Sequence, residues 1–149
     1  VIVNADGQII ARTGNAPISI VDPTAHAEIL AIRDAAYGMD NYRLNGTTLY
    51  VTLEPCSHFG RTPPCADAII ASGVKEVWVG TRDPNPRVRG RGIRRLRSSG
   101  IKVETGILKD ECSRLIEPFA KYIQTGRPYV FLKTATSLDG KIATAGGES

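Results

Sequence analysis

The sequence predicts an α/β fold built on a mixed β-sheet, because strand patterns alternate with helix patterns along most of the chain. Two short apolar runs open the chain on either side of Asp6-Gly7, a dipeptide typical of tight hairpins. The length of 149 residues suits one domain of ordinary size, and 42% hydrophobic with 23% charged residues is a globular composition. We therefore expect an antiparallel opening hairpin joined to a largely parallel sheet.

The strands are predicted by short runs rich in β-branched and aromatic residues. These runs are Val1–Val3, Gln8–Arg12, Thr47–Leu53, Val74–Thr81, Ile101–Glu104 and Pro128–Thr136. The first two form the hairpin. The others alternate with helices, which favours parallel pairing.

The helices are predicted by apolar residues that recur three and four positions apart. These segments run from Asp22 to Gly38, from Thr62 to Gly73, from Gly92 to Ser99 and from Lys109 to Gln124. Asp22-Pro23 is expected to supply the N-cap and the first residue of the first helix. Pro118 is expected to kink or break the last helix.

Composition excludes several classes of protein. No run of 18 apolar residues is present, so we expect no membrane span. The cysteine count is three, at wide spacing, which disfavours a secreted disulfide scaffold and favours the reducing cytoplasm. The chain opens on Val1 without a methionine, and we expect it to be part of a longer protein.

Three groups of residues that could take part in catalysis or metal binding fall at the ends of predicted elements. His26-Ala27-Glu28 lies in the first turn of the first helix, Glu54-Pro55-Cys56 ends the central strand, and Cys65 begins the second helix. Ligands of open α/β sheets collect where strands end and helix N-termini point, so these groups can meet at one site. One imidazole and two thiols suit zinc, and three protein ligands leave a position for water, which is the catalytic pattern. Glu28 can then lie beside the metal as a proton shuttle.

The segment Pro55–Cys65, with the sequence PCSHFGRTPPC, resembles the deaminase motif of the bifunctional riboflavin-biosynthesis deaminase/reductases. The likeness continues through Ala66–Ile70, Asp83–Pro86 and Gly90–Gly92. Residues Arg127–Ala143 resemble the first strand of that family's reductase domain. Zinc deaminases in general carry H-x-E followed by P-C-x-x-C, whereas here eight residues separate the two cysteines.

The resemblance implies a three-layer α/β/α sandwich of the cytidine-deaminase type and a site for Zn²⁺. By it, His26, Cys56 and Cys65 would hold zinc, and Glu28 would be the catalytic general acid and base. The implied reaction is hydrolytic removal of an amino group from diaminohydroxyphosphoribosylaminopyrimidine.

The resemblance also implies substrate contacts and a domain boundary. Arg61 would contact the substrate, and Asp83 and Asn85 would lie near the ribosyl phosphate. Residues 1–126 would form the deaminase domain without its N-terminal helix, and residues 127–149 would begin a truncated reductase domain. NADPH would serve only that reductase half. The expected partner is a small phosphorylated pyrimidine, with no nucleic acid and no membrane, and we expect a homo-oligomer.

The first third of the chain, including Asn15–Arg33 and Asn41–Leu44, is more similar to tRNA adenosine deaminases and nucleobase deaminases. It lacks the Gly-x-His stretch that the riboflavin family usually carries before H-A-E. A tRNA adenosine or a free cytosine or guanine deaminase with the same zinc chemistry is therefore the alternative. A zinc-binding fragment without turnover is a third possibility.

Less specific explanations exist for other conspicuous residues. His58 could close a four-ligand structural zinc site, although the spacing favours a loop residue at the pocket. Cys112 is expected to be a small buried hydrophobe on an amphipathic helix. Seven arginines lie between Arg82 and Arg97. We expect most of them to form a solvated face with Ile93 and Leu96 turned to the core, while one or two could reach a 5′-phosphate.

Overall fold

The computed structural model describes residues 1–60 and 62–147. Its strands are β1 (Ile2–Val3), β2 (Ile9–Ala11), β3 (Thr48–Leu53), β4 (Glu76–Thr81) and β5 (Lys102–Thr105). Its helices are α1 (Ala27–Gly38), α2 (Cys65–Ser72), α3 (Arg91–Ser98), α4 (Lys109–Leu115) and α5 (Glu117–Thr125).

The five strands form one mixed sheet in the order β2-β1-β3-β4-β5. Strand β1 pairs antiparallel with β2 and with β3, whereas β3, β4 and β5 are parallel. The predicted hairpin and the parallel order after it are both confirmed. Parallel pairing brings the carboxyl ends of β3 and β4 to the same edge of the sheet, and Leu53 lies opposite Thr81 there.

One face of the sheet is covered by α1, α2 and α3. Val77 and Val79 on β4 are fully buried against this helical layer. The helices contribute a shared set of buried residues, which are Ala31, Ala35, Ala66, Ile69, Ile93 and Leu96. This core fixes the N-termini of α1 and α2 next to the end of β3.

The opposite face is covered in part by α4, which completes a three-layer α/β/α arrangement. Gly80 alternates with Val79 along β4 and therefore faces the other way. A Cβ at Gly80 would overlap the side chain of Cys112 on α4, so the missing side chain lets the helix approach. On the same face Trp78 stacks on Tyr50, with ring centroids 6.2 Å apart and ring planes inclined by 19°.

The prediction that α1 begins at Asp22-Pro23 is wrong. Asp22 Oδ1 accepts hydrogen bonds from the Thr24 backbone N–H at 2.8 Å and from the Thr24 hydroxyl at 2.7 Å, so it closes a local turn. His26 has extended backbone angles (φ −69°, ψ 145°) and is the N-cap of the helix, which begins at Ala27. Aspartate serves turns and helix caps equally well, and the sequence pattern does not separate the two uses.

The other helix boundaries follow the sequence closely. Gly73 ends α2 in the left-handed region at φ 80°. The last predicted helix is divided at Ile116 into α4 and α5, with Pro118 in the first turn of α5. Proline is tolerated there because the first helical N–H groups have no partner within the helix.

The predicted strand Pro128–Thr136 does not form. The segment has no strand assignment, and the side chains of Val130, Phe131 and Leu132 are about four-fifths exposed. A strand requires a neighbour for its backbone hydrogen bonds, and the described residues provide none for this segment. Among the described residues, no helix has both the length and the apolar character that crossing a bilayer requires.

Candidate metal centre

The three predicted ligands come from three different elements and meet at one end of the fold. His26 caps α1, Cys65 is the first residue of α2, and Cys56 follows β3 after a turn. Their donor atoms all lie within 4.8 Å of one another. His26 Nδ1 is 3.2 Å from Cys65 Sγ.

Two hydrogen bonds fasten Cys56 to the start of α2. The Cys65 backbone N–H donates to Cys56 Sγ at 3.1 Å, and the Ala66 N–H donates to the Cys56 carbonyl at 3.1 Å. The Cys65 thiol is also hydrogen-bonded to the sulfur of Cys56, which lowers the pKa of Cys56 to about 6. The same hydrogen bond, together with burial, raises the pKa of Cys65. The pair therefore favours a thiolate at Cys56, which is the form that binds metal.

The donor set fits a zinc ion. Zn–S bonds of about 2.3 Å and Zn–N bonds of about 2.0 Å in tetrahedral geometry place ligand atoms about 3.5 to 3.8 Å apart, within the observed limit. All three cysteines of the chain are free thiols. Within residues 1–60 and 62–147, no fourth histidine, cysteine or carboxylate joins the group, and His58 does not belong to it. The arrangement matches an open, catalytic type of site.

Glu28 lies in the first turn of α1, two residues beyond His26. Burial raises the pKa of its carboxyl, and a hydrogen bond from the Glu28 backbone N–H partly opposes this. The carboxyl also interacts with the Cys65 thiol, which places it at the edge of the donor cluster. A carboxyl group with a raised pKa can both accept and donate a proton near neutral pH.

A cavity of about 330 Å³ opens in front of the donor cluster. It is lined by Pro17, Pro23, His26, Cys56, His58, Gly60 and Thr62. Nδ1 of His58 is buried and has no hydrogen-bond partner within residues 1–60 and 62–147. The cavity wall thus combines proline side chains with two imidazole rings, a lining of apolar and polar groups suited to a small polar ring.

The predicted substrate contacts have different outcomes. Asp83 is 6% exposed, and its Oδ1 accepts a hydrogen bond from the Asn85 N–H at 2.8 Å. Asn85 Oδ1 in turn accepts from the Arg87 N–H at 3.0 Å. Both side chains shape the loop after β4, and neither belongs to the described lining of the 330 Å³ cavity. Arg61 lies outside the described residues.

Burial raises the pKa of Asp83, and the hydrogen bond from Asn85 opposes the shift. The negative charge of Glu54 raises this pKa further, and the charge of His58 lowers it. Asp83 is therefore close enough to His58 for the two to interact electrostatically, although Asp83 is not part of the described cavity lining.

Two residues of the arginine-rich segment are engaged in structural contacts. Arg95 Nε lies 2.5 Å from Asp67 Oδ1 and joins α3 to α2, and Arg97 donates to the Val103 carbonyl at 2.6 Å. Ile93 and Leu96 are buried, as the sequence predicted. The segment is mainly a solvated helix face, and Arg95 and Arg97 bind it to neighbouring parts of the fold.

Glu54 was noted in the sequence only as part of the Glu54-Pro55-Cys56 group, and no role was predicted for it. It is 2% exposed, and its carboxyl accepts hydrogen bonds from three backbone N–H groups. An acidic residue at a buried strand end directly before Pro55-Cys56 is the sequence signal that could have identified it.

Three comparisons with known proteins agree on the family. A family model described as the zinc-binding region of cytidine and deoxycytidylate deaminases matches residues 1–81. The riboflavin biosynthesis protein RibD of Aquifex aeolicus is 52% identical over 124 residues, which are 83% of this chain and 33% of that protein. The chain thus spans about a third of the length of this curated relative.

Comparison with solved structures shows which known folds the chain resembles. A diaminohydroxyphosphoribosylaminopyrimidine deaminase/5-amino-6-(5-phosphoribosylamino)uracil reductase from Thermotoga maritima has a TM-score of 0.81 and 47% identity, covering 100% of this chain and 40% of its own. A structure from a study of A-to-I editing by tRNA:A34 deaminases has a TM-score of 0.65 and 35% identity, covering 77% of this chain and 81% of its own. Both likenesses anticipated from the sequence are found.

Proposed function

The chain belongs to the zinc-binding cytidine and deoxycytidylate deaminase family, and from this premise we propose that it is the deaminase unit of a riboflavin-biosynthesis deaminase/reductase. The observation that carries the proposal is the meeting of His26, Cys56 and Cys65 in one donor cluster, of which His26 and Cys56 line a cavity, with the carboxyl of Glu28 beside the cluster. The proposed substrate is diaminohydroxyphosphoribosylaminopyrimidine. The similarity to the Thermotoga maritima enzyme over the whole chain supports this choice.

In this proposal His26, Cys56 and Cys65 hold the zinc ion. Bound zinc supplies a Lewis acid that makes a water molecule nucleophilic near neutral pH. The hydrogen bonds from the Cys65 and Ala66 amides hold Cys56 in place for this role. The N-cap of α1 presents His26 to the cavity, and the first turn of the same helix carries Glu28 beside the donor cluster.

Glu28 is the proposed proton carrier. Its carboxylate takes the proton of the attacking water, and the resulting acid gives the proton to the departing amino nitrogen. A C–O bond forms as the C–N bond breaks, and the products are a carbonyl compound and ammonia. The raised pKa of Glu28 supports both directions of transfer.

The remaining expectations are proposals of the same kind. Arg61, Asp83 and Asn85 would bind the substrate, residues 1–126 would be the deaminase domain, and residues 127–149 would begin the reductase domain that uses NADPH. The exposure of the apolar residues in the later segment supports its assignment to another body. We also propose a cytoplasmic homo-oligomer acting on a small molecule rather than on nucleic acid. The three free cysteines support the reducing compartment.

A second candidate is a tRNA adenosine or free-nucleobase deaminase. The similarity to the structure from the tRNA:A34 deaminase study, of which the chain covers 81%, favours it. So do the runs Asn15–Arg33 and Asn41–Leu44, which resemble that group. The eight-residue insert between Cys56 and Cys65 favours the riboflavin assignment instead.

Ammonia release from a panel of substrates distinguishes the candidates. The zinc-loaded chain is incubated with the ribosylaminopyrimidine phosphate, cytosine, guanine and tRNA. We expect release from the first alone, and release from tRNA or a free base alone would contradict the proposal. Zinc content near one per chain without release from any substrate would indicate binding without turnover.

Glu28→Gln tests the proton carrier in the same assay. We expect zinc to remain bound and turnover to fall by about 10²- to 10⁴-fold, because the carboxamide cannot carry the proton. Glu117→Gln, on the exposed N-terminal turn of α5, is the matched control. A near-normal rate in Glu28→Gln would rule out the assigned role.

A further inference from the structure

We propose that Glu54 is a positioning residue that fixes the loop after β4 and the start of α3 against Pro55 and Cys56, the two residues that we call the metal-binding turn. The inference rests on the proposed function, because the loop matters for catalysis only if Asp83 and Asn85 bind the substrate there. Glu54 itself touches none of the proposed reacting atoms. It acts through the segment Asp83–Ile93.

The carboxyl of Glu54 joins three points along that segment. Oε2 accepts a hydrogen bond from the Asp83 N–H at 3.3 Å and another from the Gly90 N–H at 2.8 Å. Oε1 accepts from the Ile93 N–H at 3.2 Å. One side chain therefore fixes both ends of the loop and the first helical turn after it.

These contacts replace the usual cap of α3. The N-terminal N–H groups of a helix have no partner within the helix, and Gly90, the N-cap, has no side chain to supply one. In a capping box, two side chains of the helix itself bond the N-cap N–H and the N–H three residues later. Glu54 bonds the same two positions, Gly90 and Ile93, from the end of a different element.

The same residue is rigidly connected to the metal-binding turn. The Glu54 N–H donates to the Thr81 carbonyl at 2.9 Å, so its backbone continues the pairing of β3 with β4. Cys56 follows two residues later. The first turn of α3 also packs against Pro55, because a Cβ at Gly92 would overlap the Pro55 carbonyl oxygen. A shift of Glu54 would therefore change the position of Asp83 relative to Cys56.

A helix cap alone would stabilise α3 without influencing catalysis, and the two roles differ in measurable ways. A positioning role predicts that loosening the loop weakens substrate use while zinc stays bound. A purely stabilising role predicts a lower Tm with unchanged kinetics of the folded protein.

Glu54→Gln in the zinc-loaded full chain separates these roles. The carboxamide preserves the shape but turns a donor toward one of the N–H groups, so at least one hydrogen bond is lost. We expect the amides of Asp83, Gly90 and Ile93 to exchange hydrogen about tenfold faster by NMR, with zinc content unchanged. We expect kcat/KM for the pyrimidine phosphate to fall about tenfold, with the larger part of the change in KM.

Glu54→Asp is the second variant, in case the first does not fold. It keeps two acceptor oxygens on a side chain one methylene shorter, which cannot reach all three N–H groups, so we expect an intermediate effect on exchange and on KM. Glu117→Gln is the control and is expected to change neither. Unchanged exchange in the folded variants would overturn the inference, and so would faster exchange with unchanged kcat/KM.

Hydrogen exchange requires no substrate, so failure of the proposed function can be distinguished from failure of the inference about Glu54. If the wild-type chain releases no ammonia from the pyrimidine phosphate, the proposed function fails. Exchange at Asp83, Gly90 and Ile93 still decides whether Glu54 holds the loop.

Discussion

Replacing Gly92 with alanine is expected to destabilise the fold at the contact between α3 and the metal-binding turn. The new Cβ would overlap the carbonyl oxygen of Pro55 and lie 3.3 Å from Cγ of Glu54. The first obstacle is a backbone atom, which cannot move aside by a rotamer change. Relief therefore requires α3 or the turn at Pro55 to shift.

Two opposing effects set the magnitude. Alanine is favoured over glycine within a helix by about 0.5 to 1 kcal/mol. Overpacking in a well-packed region costs about 1 to 3 kcal/mol. The overlap with a backbone carbonyl belongs at the upper end of that range, about 3 kcal/mol, and subtracting the propensity gain leaves an expected net loss of about 2 to 2.5 kcal/mol.

Urea and thermal unfolding measure this loss. For a chain of this length each kcal/mol lowers Tm by about 2 to 4 °C. Gly38→Ala is the matched control, because a Cβ there meets nothing within 4 Å at the end of α1. If Gly92→Ala were as stable as Gly38→Ala, the close packing of α3 on Pro55 would be refuted.

The remaining predictions concern the metal, a buried carboxyl and an ion pair. Cys65→Ala is expected to reduce zinc content from about one per chain to near zero by elemental analysis; Cys112→Ala, on α4 and outside the donor cluster, is expected to retain it. Asp83 has a folded-state pKa above its unfolded value of 3.8, so its contribution to stability is largest below that pH and is lost as pH rises through the folded pKa. Asp83→Asn is therefore expected to be more stable than wild type at about pH 7. In urea unfolding its free energy of unfolding should fall less than that of wild type between about pH 4 and 7. A pH dependence equal to that of wild type would contradict this. Asp67→Asn breaks the half-exposed ion pair with Arg95 and is expected to lower the free energy of unfolding by less than about 1 kcal/mol in urea unfolding. A larger decrease would contradict the treatment of this pair as a weak surface ion pair.

The cluster of His26, Cys56 and Cys65 could be predicted from the sequence because these residues occupy the ends of strongly patterned elements. Cys56 follows a β-branched strand, and Cys65 precedes a helix that Gly73 ends. Parallel strands and the helices that follow them bring such positions to one edge of the sheet. The convergence of the donor atoms therefore follows from topology, with only their distances left for the structure to supply.

Tertiary context decided the features that the sequence did not predict. Asp22 had the residue type of a helix cap, but its oxygen serves the Thr24 turn. Val130–Leu132 have strand propensity, but no described neighbour pairs with them. The role of Glu54 depends on backbone amides up to 39 residues away in the sequence, and a local sequence pattern cannot predict contacts over that separation.

Trp78 is the one tryptophan of the chain, and its place on β4 makes it a useful optical probe. It lies in a central strand, stacked on Tyr50 on the sheet face opposite the α1–α3 layer. Its emission should therefore respond when the sheet comes apart and remain nearly constant when only the thiol cluster is disturbed. Fluorescence recorded during titration with a chelator can thus distinguish local loosening at the sulfurs from global unfolding within a single sample.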